Sequence, residues 1–208
     1  MSVKEVLKNH FSCDKNTTCC FTGHRKKDLP FEGDIHKQGM KCLLSMLHLL
    51  IEEAVSDGYK TFISGMAEGT DLYCAEIVHN LIVSGKYPDI KLVCALPYAE
   101  QSAEIRSPLD KYRYSMLIST CDEKVIVSSK YEKERYKLRN SFMVEHSSRI
   151  IGAYKSKKHG SGTLQTINMA DKAGLDLQII SLDRNPCIYI DSDAPIDYNN
   201  FKKFRPEY

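Results

Sequence analysis

The sequence predicts an α/β domain of Rossmann-like type: three layers, α/β/α, around a mainly parallel sheet of about six strands. Three observations carry that prediction. Apolar runs of four to seven residues alternate with longer stretches whose apolar residues recur at helical spacing. Within the runs, consecutive positions are apolar, as they must be in strands buried on both faces. Several runs stop at a glycine shortly before a helix begins, which is the strand–turn–helix order of parallel folds.

The first eighteen residues read as a short amphipathic helix or an ordered lead-in. Thr18 to Thr22 (TCCFT) is a compact β-prone run halted at Gly23. From Asp34 to Val55 the residues Ile35, Leu43, Leu44, Leu47, Leu50, Ile51 and Ala54 keep helical spacing, and Asp57-Gly58 closes the helix. Lys60 to Ser64 is the second strand, stopped by Gly65. A helix follows from Thr70 to Val83, closed by Ser84-Gly85. Ile90 to Leu96 is the third strand, broken by Pro97; a polar connection and a helix ending near Thr120 come next. Lys124 to Val127, Arg149 to Tyr154 and Leu177 to Leu182 are the remaining strands. They are separated by helices over Lys133 to Ser148 and Gly162 to Ala173, the latter with Gly174 at its C′ position.

At 208 residues the chain suits one domain with its own core. The predicted organisation is a lead-in over 1–17, a nucleotide-binding domain over 18–183 and a tail over 184–208, with an edge strand at Ile188 to Ile190. The 29 basic and 27 acidic residues leave a net charge of +2, which excludes a global electrostatic case for nucleic acid or membrane binding but not a local patch. The eight cysteines follow no C-x-x-C or zinc-finger spacing, so they read as buried thiols of a reducing compartment. No apolar stretch has the length of a signal peptide or a membrane span, and the cytoplasm is the expected location.

In a doubly wound sheet, ligands sit at the carboxyl ends of the strands. Three strand ends stand out here. Gly23-His24-Arg25 follows the first: glycine permits close backbone approach and Arg25 suits a phosphate or carboxylate. The same residues also read as a tight turn before a solvated basic loop. Ser64-Gly65-Met66-Ala67-Glu68-Gly69-Thr70-Asp71 follows the second and opens a helix at once, the arrangement that offers backbone N–H groups to an anion. Asp71 would repel a phosphate directly above it, so it caps the helix or meets a ribose hydroxyl. His159-Gly160-Ser161-Gly162-Thr163 opens a third helix. It is neither a G-x-G-x-x-G fingerprint nor a P-loop. Arg139, on the helix before the fifth strand, is either a solvated charge or points over the crevice.

In this order, Cys20 to Arg25 (CFTGHR) with Leu29-Pro30, Ile63 to Glu76 (ISGMAEGTDLYCAE), Leu96-Pro97-Tyr98, Arg139 to Val144 (RNSFMV) and Gly160 to Ile167 (GSGTLQTI) resemble the YpsA-like family. That family is a branch of the SLOG superfamily, which joins the DNA-processing protein DprA to the cytokinin-activating LOG enzymes. The resemblance spans about residues 18 to 182. It implies a Rossmann-like fold and a pocket for a nucleotide or nucleotide derivative, without implying a reaction. LOG enzymes carry a catalytic glutamate where this chain has Thr166, and a lysine beside their arginine where this chain has Asn140. The tryptophan common after the second glycine turn is Tyr73 here, which keeps an aromatic face for stacking.

The leading expectation is a protein that binds or senses a nucleotide. Gly23, Gly65, Gly69, Gly160, Gly162, Ser64, Thr70, Ser161 and Thr163 would form the phosphate cradle, Arg25 and Arg139 would supply charge, and Asp71 would read a ribose hydroxyl. A nucleotide hydrolase is the alternative, with Asp71 or Glu76 as its carboxylate. A DprA-like binder of single-stranded DNA is a third reading, weakened because Glu123, Glu132 and Glu134 interleave with Lys124, Lys130, Lys133, Arg135, Lys137 and Arg139. His24, His159 and the cysteines lack ligand spacing, so no metal is expected. The resemblance allows a homo-oligomer; no membrane partner is expected.

Overall fold

The apolar runs of the sequence become strands whose side chains alternate between two cores. A computed structural model describes residues 3–128, 134–156, 161–184 and 203–204. The strands are β1 (Lys4–Leu7), β2 (Thr18–Gly23), β3 (Thr61–Ser64), β4 (Lys91–Leu96), β5 (Glu123–Ile126), β6 (Arg149–Tyr154), β7 (Asp176–Ser181) and β8 (Lys203–Phe204). The helices are α1 (Gln38–Ser56), α2 (Thr70–Val83), α3 (Pro108–Thr120), α4 (Arg135–Glu145) and α5 (Gly162–Lys172). The sheet order is β1-β5-β4-β3-β2-β6-β7-β8, with β1 to β7 parallel and β8 antiparallel to β7. This is the predicted Rossmann-like α/β architecture.

Cys19 and Phe21 of β2, Phe62 of β3 and Leu92, Cys94 and Leu96 of β4 face one core, shared with Leu43 and Leu47 of α1, Val78 of α2 and Leu117 of α3. The alternate residues Cys20, Ile63, Val93 and Ala95 face the other, shared with Phe142 and Met143 of α4 and Ile167 and Ala170 of α5. Each fully buried Leu, Ile or Phe stabilises the fold by roughly 1.5–3 kcal/mol. Seven described cysteines are free thiols, and all but Cys13 are buried. Among the described residues, no helix is long and apolar enough to cross a membrane.

Of the two readings of the lead-in, the structure has an ordered segment and not the helix. Lys4–Leu7 is an edge strand paired with β5, followed by two short 3-10 turns, in place of an amphipathic helix. Only Val6 of β1 is buried, so the segment carries no apolar period to read. The expected strand over 188–190 lies outside the described residues; the last pairing with β7 comes from Lys203–Phe204.

Strand order locates the crevice. From β2 the chain lays β3, β4 and β5 to one side, then crosses back to place β6 and β7 on the other. The switch point is therefore between the carboxyl ends of β2 and β6, where side chains from both halves of the sheet can meet one molecule.

Candidate functional site

A cavity of about 360 Å³ opens at this switch point. Its walls come from the end of β2 and the loop after it (Thr22, Gly23, His24, Arg25, Lys27, Asp28), α2 and its preceding turn (Ala67, Asp71), α4 (Tyr136, Arg139, Asn140) and the start of α5 (Ser161, Gly162, Thr163, Thr166). The volume suits a small organic molecule.

The three predicted turns have different fates. The first lines the cavity, and its backbone is clamped from both sides. Thr163 Oγ1 donates to the Gly23 carbonyl at 2.9 Å, while Thr70 gives its N–H and its hydroxyl to the His24 carbonyl, each at 3.2 Å. The buried His24 ring meets the Lys155 carbonyl at 2.9 Å and stacks on Tyr154. Arg25 is left exposed at the mouth, 6.0 Å from the Tyr136 ring.

The second turn is packed against the first. Gly69 has φ +104°, and a Cβ there would strike the backbone of His24 and Lys26; a Cβ on Gly23 would strike Thr70, and one on Gly65 the Arg139 guanidinium. Ser64 Oγ donates to the Asp71 carbonyl at 2.8 Å and accepts from the Met66 N–H at 3.1 Å. Ser64, Gly65, Gly69 and Thr70 thus hold α2 against β2, and none of them lines the cavity. Only Asp71 and Ala67 reach it from this segment.

Of the third turn, Ser161 to Thr163 are described, and all three line the cavity. Ser161 caps α5 by accepting from the Leu164 N–H at 3.1 Å. The N–H groups of Gly162 and Thr163, in the first turn, have no intrahelical acceptor. Gly162 is exposed on the cavity lining, and among the described residues no atom lies within 4 Å of where its Cβ would be. Gly160 lies outside the described residues.

At the floor, Arg139 Nη1 donates to the Gly65 carbonyl and lies 3.7 Å from Asp71 Oδ2, while Nε donates to Asn140 Oδ1 at 2.8 Å. Both charged groups are buried. Burial pushes the Asp71 carboxyl above its ordinary value, against the pull of Arg139, Arg25 and the Ala67 backbone. Burial likewise lowers Arg139, against the pull of Asp71. Asn140 Nδ2 donates to Thr166 Oγ1 at 2.8 Å, and Thr166 Oγ1 donates to the Gly162 carbonyl at 2.8 Å. Asn140 and Thr166 are therefore in contact as a neutral hydrogen-bonded pair.

Glu76 is not brought to the cavity. It pairs with Arg113 at 2.7 Å, and Arg113 also holds Asp110 at 2.6 Å. Tyr73 is likewise turned away. Its hydroxyl donates to the Gly33 carbonyl at 3.1 Å and its ring lies 5.3 Å from the Arg113 guanidinium, so no stacking face reaches the site. Tyr136, Asn140 and Thr166 line the cavity although sequence reasoning did not place them in the site. Helical spacing could have found the first two, since they flank Arg139. Among the described residues, no group of three or more His, Cys, Asp or Glu could hold a metal ion.

Comparison with known proteins agrees with this geometry. The model of the YspA SLOG family (YpsA) matches residues 19–185. The UPF0398 protein of Bacillus cereus strain B4264 is 34% identical over 137 residues, 64% of this chain and 73% of that protein. The UPF0398 protein of Bacillus thuringiensis strain Al Hakam is 33% identical over the same length, with the same coverage. Among solved structures, DNA processing protein A from Streptococcus pneumoniae superposes with a TM-score of 0.52 at 16% identity, over 84% of this chain and 53% of that one. DNA processing protein A from Helicobacter pylori, solved for its single-stranded DNA binding mode, gives 0.51 at 15% identity, over 80% and 66%. The chain spans about half the pneumococcal protein, and at these identities the likeness is one of fold. A family match running from β2 to the end of β7 takes in every element that builds the cavity, and the chain belongs to the YpsA family of SLOG proteins.

Proposed function

We propose that this protein binds or senses a nucleotide or nucleotide-derived molecule in the cavity between β2 and β6. The observation that carries the reading is the amino end of α5, unobstructed by any described residue and lining the same cavity as Arg25, Lys27 and Arg139. A helix amino end concentrates about half a positive charge and offers unsatisfied N–H donors, which suits a phosphate. Asp71, buried on the opposite helix end, suits a ribose hydroxyl as acceptor. The phosphate cradle is thus the third glycine turn with Arg25; the second turn contributes through the packing of α2.

Hydrolysis ranks behind binding. Of the two candidate carboxylates, Asp71 alone lines the cavity, and it is engaged with Arg139. Single-stranded DNA ranks behind as well. Lys124 pairs with Glu5, Arg135 with Glu104 and Lys137 with Glu134, so these three charges are already answered; Lys130 and Lys133 lie outside the described residues.

The test is thermal shift with AMP, ADP, ATP, NAD, ADP-ribose and a single-stranded oligonucleotide, since a ligand that favours the folded state raises its melting temperature. The expected result is stabilisation by one or more nucleotides, lost in Arg25→Ala, with the nucleotide recovered intact. A cleaved nucleotide would move the protein to the hydrolases. Stabilisation by the oligonucleotide alone, falling steeply with salt, would favour the DNA reading.

A further inference from the structure

The loop between β4 and α3 does not line the cavity, yet it is fastened to the cavity wall through one carboxylate. Gln101, buried in that loop, donates to the Gly65 and Met66 carbonyls at 3.2 and 3.3 Å and anchors it to the second turn. Three residues on, Glu104 accepts from the Tyr98 hydroxyl of its own loop and, from α4, from the Tyr136 hydroxyl and from Arg135 Nη2 at 3.0 Å. The Arg135 guanidinium also lies over the Tyr98 ring at 4.0 Å. Burial alone would raise the Glu104 carboxyl; the two phenols with Arg135 and Arg25 outweigh it and hold it below the usual carboxylate range. Both phenols are pushed up, foremost by burial and then by the facing carboxylate, and so remain donors at neutral pH.

Tyr136 is the member of this cluster that reaches the cavity. Among the described residues, Phe21 and His24 are the other rings on the lining, and they are 0% and 3% exposed; of the three, Tyr136 is the ring with area left to offer. An aromatic face beside a phosphate-accepting helix end is where a nucleobase gains by stacking. Fixing a flat platform in advance raises affinity because the ordering cost is met before binding.

We propose that Glu104 is a positioning residue of this cavity: through Tyr98, Arg135 and Tyr136 it fastens the β4–α3 loop to the first turn of α4 and sets the ring against which a nucleobase lies. The proposal rests on the nucleotide reading above and adds the group that receives the base. Glu104 touches no ligand. It makes the β4–α3 loop the element whose sequence sets affinity for the base, while α5 and Arg25 serve the phosphate.

The experiment compares wild type with Glu104→Ala, Glu104→Gln and Tyr136→Ala by calorimetry with AMP and, separately, with inorganic phosphate. Hydrogen exchange of the Leu138 to Phe142 amides is followed in the absence of ligand. Removing the ring in Tyr136→Ala weakens AMP by about tenfold, and unfastening it in Glu104→Ala weakens AMP by a smaller factor of about fivefold, while phosphate stays within about twofold in both. Glu104→Gln, which keeps one acceptor, falls between, and the α4 amides exchange faster in Glu104→Ala. Equal loss of AMP and phosphate would make Glu104 a general structural residue and overturn the proposal. AMP binding equal to wild type would overturn it too. Should wild type bind no AMP, the nucleotide of the panel above that stabilises it takes AMP's place; should it bind none of them, the nucleotide reading fails. Exchange then decides Glu104 alone: faster opening confined to α4 upholds its positioning role, and unchanged opening refutes it.

Discussion

Asp71 and Arg139 show how one residue pair links the fold to the cavity. Their charges lie 3.7 Å apart beneath Gly65, in a space that admits no additional carbon. Gly65→Ala should therefore destabilise the protein by about 1–3 kcal/mol through overpacking, read by urea denaturation, with Gly162→Ala as the near-neutral control. Asp71 also sets a pH signature. Its folded-state value lies above the ordinary 3.8, so folding takes up a proton between those two values. Its contribution to stability is fully present below pH 3.8, declines as pH rises through that interval, and stays at its lower level above it. Denaturation of wild type and Asp71→Asn across the interval should give a difference that moves in favour of the variant as pH rises; a flat difference or one of opposite sign would contradict the assignment. The residues legible from sequence divide on the same physical ground. A glycine at Gly65 or Gly69 signals that something comes close, but not what. Here the neighbours are Arg139 and the backbone of His24 to Lys26, so the space is filled from within. Gly162 has no such neighbour among the described residues, and it is the predicted glycine of that helix end that lines the cavity.

At the scale of the element, the helix that matters is α5. Its start was readable because Ser161 precedes Gly162-Thr163 and an apolar period, and the Ser161 hydroxyl does cap the Leu164 N–H. Ser161→Ala should lower stability by about 0.5–2 kcal/mol, measured by thermal or urea unfolding, and loosen the helix end that faces the cavity. β2 through β7 were legible from continuous apolar runs, since both faces of each are covered. β1 was not, because an edge strand with a single buried side chain has no period to show. α4 was legible as a helix, with Arg139 alone as its candidate for the crevice. Tyr136 and Asn140 read as ordinary polar positions until strand order brings α4 beside α5, where Asn140 meets Thr166 at 2.8 Å.

For the whole molecule, the order β1-β5-β4-β3-β2-β6-β7-β8 makes a site of these parts, because it puts the ends of β2 and β6 side by side and both helix layers around them. Sequence alternation predicts such a sheet but not which strands flank the switch, since crossovers are long-range. The DprA-like fold sets the frame and leaves the ligand to the cavity walls. The most direct test of the account is calorimetric titration of AMP, ADP, NAD and ADP-ribose into wild type and Gly162→Asp. The substitution puts a carboxylate at the amino end of α5 where no described residue obstructs it, and an acidic residue there favours the helix by about 0.3–1 kcal/mol. The account predicts that the variant is folded and at least as stable as wild type, and that it loses at least tenfold in affinity for whichever nucleotide wild type binds. Undiminished nucleotide binding in the folded variant, or no nucleotide bound by folded wild type, would contradict it.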